Sequence, residues 1–380
     1  MLSAFEHATS RRDRTDNLVC EVELDSGAVG FGEGGPRRPV TGETVESCWQ
    51  AVLNVAAGTI SGEVGSFDEA VRLARRVTDE LPDGPGVLAN AARAAIELAL
   101  LDAFGRAYGT SILPTLARVA GRPDVPGSPR LSYSMVIGRE LAQDREGLAA
   151  LHARYGYRAA KLKVGFGQRE DLETVARVRE VLGAQVDLRL DANRALDLPD
   201  AISLMREVRA LGVTVIEDPI RGETVEHMAE GIRTLRQETG AQVVLDEPMR
   251  TRDEVERAIA LGAIDVASVR VSKCGGLLRS CEIAAACRAA GVGVQLGCQV
   301  GETAVLSAAG RHLACAVGDL RFLEGSNEEL KFAPGNFICA ENLTYGAGGV
   351  GRPLTGPGLG LTIDRPRLAR LSMQQAERVF

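Results

Sequence analysis

The chain has 380 residues, 45% of them hydrophobic and 25% charged, the balance of a soluble globular protein. Its 44 basic and 51 acidic residues leave a formal charge of −7 with no long single-sign block, which argues against a nucleic-acid partner. No apolar run reaches the roughly 18–20 residues of a membrane span, the opening MLSAFEHATSRRDR lacks an apolar signal core, and eight cysteines without a CxxC pair suit reduced thiols in a cytoplasmic protein.

In chain order, residues 18–35 read as two short strands, LVCEVELDSG and AVGFGEG, with Ser26-Gly27 as the turn. Helical spacing follows at about 44–57, 67–80 and 87–108, punctuated by Pro82, Pro85 and Gly109. The first 125 residues are therefore expected to form a small α+β domain, and the proline- and glycine-rich 121–130 to be a linker. GFGEGGP at 30–36 lacks the Lys-Ser/Thr of a P-loop and a following Rossmann unit, so it is read as a substrate loop of this domain and not as a phosphate cradle.

From Leu131 onward a period replaces sequence identity as the signal. Strand-like runs begin near Leu131, Ala159, Val186, Val213, Gln242, Ala267, Val292 and Asp319, roughly 25–29 residues apart, with amphipathic stretches between them. A strand, a helix and two short loops add to about this length. Eight units predict an α/β fold of the (β/α)8 barrel type; an open doubly wound sheet is the rival, and the even spacing favours closure. The expected divisions are 1–125 for the α+β capping domain, 126–350 for the barrel, and 351–380 for a C-terminal segment that returns to complete the cap.

Barrel chemistry sits at the C-terminal ends of the strands. Those ends carry Lys161 and Lys163 (AAKLKVG), Asp191 and Asn193 (LRLDAN), Glu217 and Asp218 (VIEDP), Asp246 and Glu247 (VLDEP) and Lys273 (VRVSKCGG). Carboxylates at one height on neighbouring strands, about 4.8 Å apart, converge on one point and repel unless a cation neutralises them. Asp191, Glu217 and Asp246 form an all-oxygen set that suits Mg²⁺, with Mn²⁺ as a substitute. Lys161 and Lys163, at i and i+2, share a face and are expected to lower each other's pKa; Lys273 falls four strands away, across the barrel. A base on each face of a metal-bound carboxylate substrate, with a cationic lysine beside the developing enediolate, is the equipment for racemisation or epimerisation at the α-carbon. With a leaving group, or a lactone oxygen β to the acidic carbon, the same intermediate leads to elimination or cycloisomerisation.

These motifs resemble the enolase superfamily, in particular its muconate-lactonizing subgroup, over nearly the whole chain, including GPGLGLTID at 356–364. The resemblance implies Asp191, Glu217 and Asp246 as Mg²⁺ ligands, Lys163 and Lys273 as the acid/base pair, and Lys161 as the cation on the enediolate side. Asn193, Glu247, Cys298, Glu302 and Glu324 are expected beside the substrate or supporting those ligands. The mandelate-racemase branch uses a histidine near strand 7; VGVQLGCQVGE has none and His312 falls in the next helix, which argues against that branch. Relatives usually carry a further strand before FEHATSRRDR, so the start is expected to be trimmed or the cap sheet one strand short. Dipeptide epimerases of the subgroup present Asp-x-Asp at strand 8, whereas this chain has Leu323-Glu324-Gly325-Ser326, where Glu324 is available to a substrate cation or to cap the next turn. Gly297 is expected to let the backbone approach the ligand, and Arg11, Arg12 and Arg14 to form a solvated loop.

The leading expectation is a Mg²⁺-dependent racemase or epimerase of an amino-acid-derived or related acid. A muconate-type cycloisomerase and an o-succinylbenzoate-synthase-like dehydratase use the same motifs. A Schiff-base lysine enzyme and a non-catalytic barrel are the other classes. The expected partner is a small carboxylate, without nucleic acid or membrane, in a homo-oligomer.

Overall fold

A computed structural model describes residues 14–60, 62–124, 130–325, 332, 336–341 and 343–379, without the side chains of 57 and 58, and only the backbone of 5–7 and 10–12. Residues 125–129 of the linker expected at 121–130, Ser326, and the side chains of Arg11 and Arg12 lie outside the described residues. Strands β1 (Phe5–His7) and β2 (Ser10–Arg12) pair antiparallel, so FEHATSRRDR carries a hairpin where a loop was expected.

The cap sheet consists of β3 (Leu18–Glu23) and β4 (Val29–Gly34), joined by a turn in which the amides of Leu24 and Gly27 donate to Ala28 and Leu24. Behind it packs helix Asn90–Ala107, in which sixteen residues in sequence, 90 to 105, are buried. A helix buried all round needs a neighbour that approaches closely, and β4 supplies it with glycine. A methyl group at Gly32 would land inside the backbone of Ala95 and Ala99, and one at Gly30 inside that of Ala99 and Ala103. Gly30, Gly32 and Gly34 therefore belong to a packed strand; only the end of GFGEGGP, Gly35-Pro36, leaves the sheet. Asp102 ties three segments together, accepting from the amides of Phe31 (3.0 Å) and Leu359 (2.8 Å). The C-terminal stretch lies on the cap, with a bridge from Ser111 to Gly358 and an ion pair from Arg365 to Glu21.

The barrel strands are β6 (Met135–Ile137), β7 (Ala159–Lys163), β8 (Asp187–Asp191), β9 (Val215–Glu217), β10 (Gln242–Leu245), β11 (Val266–Val269), β12 (Gly293–Leu296) and β13 (Phe322–Leu323). They pair in parallel in sequence order. The first and last meet where the Ser134 amide donates to Leu323 (2.7 Å), which closes the curl and removes the open-sheet rival. The expected first strand is displaced: β5 (Leu131–Ser132) pairs antiparallel with β14 (Val350–Gly351) beneath the barrel, and the barrel strand begins at Met135. The last two expected starts that differ by more than a residue, Val213 and Asp319, move to Val215 and Phe322.

The alternation of strand side chains puts Val215, Val244, Val266 and Phe322 inside the barrel as a small apolar floor. Above it the interior turns polar: Arg189, Lys161, Glu217, Gln295 and Ser268 are at most 2% exposed. All eight cysteines are free thiols. Among the described residues no helix is long and apolar enough to cross a membrane.

Candidate active site

Lys163, Asp191 and Glu217 are level neighbours on three adjacent strands, because Lys163 pairs with Asp191 and Asp191 with Glu217 in register. Lys163 Nζ donates to Asp191 Oδ2 (2.6 Å) and to Asn193 Oδ1 (2.8 Å). Two residues earlier on β7, Lys161 Nζ lies among three carboxylates: Asp191 Oδ2 at 3.2 Å, Glu217 Oε1 at 2.9 Å and Glu324 Oε1 at 2.8 Å. Burial alone would lower the Lys161 pKa, but Glu217, Glu324 and Asp191 together raise it. The expected mutual lowering between Lys161 and Lys163 therefore does not operate on Lys161, since carboxylates stand around its ammonium. In return, burial raises Asp191 but Lys163 and Lys161 outweigh it and hold the carboxyl well below the usual range. Glu217 is pushed up by burial, with Asp191 and Glu324 adding to the effect.

Asp246 lies two residues past the position on β10 that pairs with Glu217, on the same face. Its Oδ1 accepts from Lys273 Nζ (2.9 Å), which also donates to the carbonyls of Asp246 (2.6 Å) and Ser268 (2.7 Å). Burial lowers Lys273 to about 8. Asp246 Oδ2 accepts no hydrogen bond, although the Arg270 guanidinium lies against it, and Glu247 Oε2 is likewise buried without a donor.

The strand ends are turned by left-handed backbone at Asn193 (φ 44°), Arg194 (φ 60°) and Asp218 (φ 41°), a conformation that Asn and Asp tolerate best. The Asn193 turn is closed by its amide donating to Asp191 Oδ1 (3.0 Å), and its side chain bridges Lys163 to Glu247 Oε1 (2.9 Å). Asp218 accepts from the amides of Asp246 (3.0 Å) and Glu247 (2.9 Å), clamping β9 to β10.

Three side chains absent from the sequence reading complete the interior. Arg189 donates to Ser134 Oγ (3.1 Å) and to Glu324, and lies 4.1 Å over the Phe322 ring. Gln295 donates to Glu217 Oε2 (2.9 Å) and Ser268 Oγ (3.1 Å). Arg270 fills the space beside Gly297, where a Cβ would stand 3.0 Å from its Cγ. Gly297 therefore makes room for Arg270 and Ser268. The signal was present: Arg189 sits two residues before Asp191, and Ser268 two before Arg270, so each falls on the inward face of an otherwise apolar strand.

Glu324 needs a larger correction. It is 4% exposed and spent on Lys161 and Arg189, which outweigh its burial and hold its carboxyl low. Its carboxylate is thus engaged by two cations of the protein itself, and residues 326–331, which would form the next turn, lie outside the described residues. Cys298 is half-buried, with its thiol pushed up by burial. Glu302 accepts from the Gln299 amide (2.7 Å), and burial pushes its carboxyl up to about 8. Arg14 is exposed and paired to Asp16 (2.9 Å).

The donor set fits a hard divalent cation. Asp218, Asp246 and Glu247 each bring an oxygen within 4.8 Å of the others, and Asp191 and Glu217 already share one ammonium. By formal count the six carboxyl groups of Asp191, Glu217, Asp218, Asp246, Glu247 and Glu324 face the five basic groups of Lys161, Lys163, Arg189, Arg270 and Lys273. All ligand atoms are oxygen, the preference of Mg²⁺.

A closed barrel with acids and lysines at the C-terminal strand ends, under an α+β cap, defines an enzyme of the enolase superfamily. Residues 143–367 match the enolase C-terminal domain-like family and residues 3–116 the mandelate racemase / muconate lactonizing enzyme N-terminal domain. The chain belongs to this family, in its muconate-lactonizing-like part, and is an isomerase. It is 29% identical over 285 residues to an L-Lys-D/L-Arg epimerase of Methylococcus capsulatus, covering 75% of each chain. It is 29% identical to a D-galactarolactone cycloisomerase of Agrobacterium fabrum over 76% of this chain and 72% of that protein. Its fold matches a dipeptide epimerase from Enterococcus faecalis V583, complexed with Mg and the dipeptide L-Leu-L-Tyr, with a TM-score of 0.78, 23% identity and coverage of 94% and 95%.

Proposed function

We propose that the protein is a Mg²⁺-dependent racemase or epimerase of an amino-acid-derived carboxylate, working by removal and return of the α-hydrogen. The observation that carries this is the placement of Lys163 and Lys273. Lys163 ends β7 and Lys273 lies in the turn after β11, four strands apart in an eight-strand ring, on either side of a carboxylate cluster. Asp191, Glu217 and Asp246 would hold the cation, since both Asp218 oxygens already accept backbone amides. When bound, the cation supplies positive charge at the substrate carboxylate and so acidifies the α-hydrogen.

The chain's own groups do the rest. Nζ of one lysine takes the proton from one face, and Nζ of the other, protonated, returns one to the opposite face. The lowered pKa of Lys273 puts its amine within reach of neutral pH as a base. Lys161, held cationic, faces the negative charge that develops on the substrate. Burial of all three lysines excludes water that would screen these charges. A Schiff-base role is disfavoured because each ammonium is committed to a carboxylate.

The remaining parts of the proposal are a division at 1–125, 126–350 and 351–380, a homo-oligomer, and a reducing, cytoplasmic location in keeping with eight free thiols. The test is α-hydrogen exchange in D₂O with Mg²⁺, over N-acylamino acids, dipeptides, amino-acid betaines and sugar acids. Exchange that stops with EDTA supports the reading. Absence of exchange over the panel, with turnover of unsaturated diacids or lactones, would replace it with cycloisomerisation.

A further inference from the structure

We infer that the cap helix Asn90–Ala107 aims Lys273, with Asn90 and Glu97 as positioning residues for the reaction. The inference rests on the acid/base role proposed for Lys273. Lys273 projects from the turn that follows β11, and three contacts from the cap hold that turn. Asn90, 3% exposed, donates through Nδ2 to the Lys273 carbonyl (2.7 Å) and the Arg250 carbonyl (3.2 Å). Glu97, fully buried, accepts from the amides of Leu277 and Leu278 (3.2 Å), the first residues of the helix after the turn. Those amides have no partner within their own helix, so the carboxylate takes the place of a local cap. From the substrate-loop side, the Gly35 amide donates to Ser272 Oγ (2.9 Å), the residue before Lys273.

The two glycines after the lysine are explained by the same contacts. Gly275 and Gly276 hold φ of 82° and 115°; a Cβ on Gly276 would strike the Glu97 carboxylate, and one on Gly275 would stand 3.1 Å from Asn90 Oδ1. The sequence KCGG is thus shaped to seat two side chains of another domain. The Lys273 main chain is fixed by the cap while its Nζ is fixed by Asp246 and Ser268 in the barrel. A cap that carries a substrate loop at Gly35 and also grips the lysine turn couples substrate cover to the aim of one base and not the other. Among the described residues Lys163 has no such contact: its partners, Asp191 and Asn193, belong to the barrel.

Asn90→Asp tests this with little change of volume. It keeps an acceptor for Arg93 Nη1 (3.1 Å) and removes both donated bonds. Glu43→Gln is the control, because Glu43 caps the start of the same helix at Ala91 (2.9 Å) without touching the lysine turn. Hydrogen–deuterium exchange of the Mg²⁺-loaded protein is expected to show the amides of residues 272–278 exchanging about tenfold faster in Asn90→Asp, and unchanged in Glu43→Gln. In D₂O, α-hydrogen exchange of the antipode silenced by Lys273→Ala is expected to fall about 10–100-fold in Asn90→Asp, with the other antipode within about twofold. Unchanged protection of the turn, or equal loss for both antipodes, overturns the inference. A wild type that exchanges neither antipode overturns the acid/base reading alone, and the protection of the turn still decides whether Asn90 holds it.

Discussion

Lys161 and Glu324 are separated by 163 positions in the chain and meet inside the barrel, Nζ to Oε2, at 3.0 Å. The pair joins β7 to the end of β13 across the seam where the barrel closes, and Arg189 binds the same carboxylate from β8. Glu324 therefore supports cations already in the protein, Lys161 and Arg189.

Removing that carboxylate charge should act on stability and on turnover together. Glu324→Gln takes the negative charge from beside the buried Lys161 and Arg189 and leaves one acceptor oxygen for the two cations, a change expected to cost about 3–5 kcal/mol. Turnover should fall on the order of 10²-fold as Lys161 loses its fixed position. Chemical denaturation should also show that Arg189→Met combined with Glu324→Gln is less destabilised than the sum of the single variants, by about 1–3 kcal/mol.

The metal assignment separates three aspartates that sit close together. Mg²⁺ at a hundredfold excess over its dissociation constant should stabilise the native protein by about 2.7 kcal/mol. Asp191→Asn and Asp246→Asn should lose that increment in thermal melts. Asp218→Asn, whose parent oxygens hold the amides of Asp246 and Glu247, should melt lower yet keep it. Loss in Asp218→Asn and Asp246→Asn, with the increment kept in Asp191→Asn, would move the cation to the Asp218, Asp246 and Glu247 cluster.

His312 gives a pH dependence remote from the lysines. It is buried in helix Ala304–Val317 with Nε2 3.0 Å from the Leu359 carbonyl, and burial lowers its pKa from 6.5 to about 4. Between those values the unfolded chain binds the proton and the native protein does not. Its contribution to stability is therefore present above about pH 6.5 and lost as pH falls toward 4. His312→Gln should remove this part of the slope: relative to wild type, the variant should gain up to about 3 kcal/mol between pH 7 and pH 4. Urea titrations at several pH values measure it, and parallel curves would refute it.

Gly32→Ala tests the cap contact. The added methyl meets the backbone of Ala95 and Ala99, which cannot move without shifting the helix that carries Asn90 and Glu97. A loss of about 1–3 kcal/mol is expected in denaturant titrations. Gly27→Ala, at a turn with open space around it but φ of 78°, should cost only about 1 kcal/mol.

Much of this was legible in the sequence, and the failures share a cause. The eightfold period located the barrel because each unit must bury its own strand and helix. It misplaced the first strand because Leu131 finds an antiparallel partner at Gly351, far along the chain. Lys161 and Lys163 could be assigned a common face from their spacing alone. Their electrostatics could not, because Glu324, Asp191 and Glu217 arrive from other strands. AVGFGEG was legible as a strand, but the glycines of GFGEGGP were also read as a substrate loop, since glycine marks turns more often than it marks a strand pressed against a helix. The partners of Asn90 and Glu97 lie about 180 positions away in the sequence, and no local pattern announces them.

The most direct test of the two-sided acid/base claim is to follow α-deuterium incorporation into each antipode of one substrate, with Mg²⁺, for wild type, Lys163→Ala and Lys273→Ala. The account predicts exchange of both antipodes by wild type, loss of one antipode in Lys163→Ala and loss of the other in Lys273→Ala. If both variants silence the same antipode, or either keeps full exchange of both, the two lysines do not serve opposite faces and the proposed chemistry is wrong.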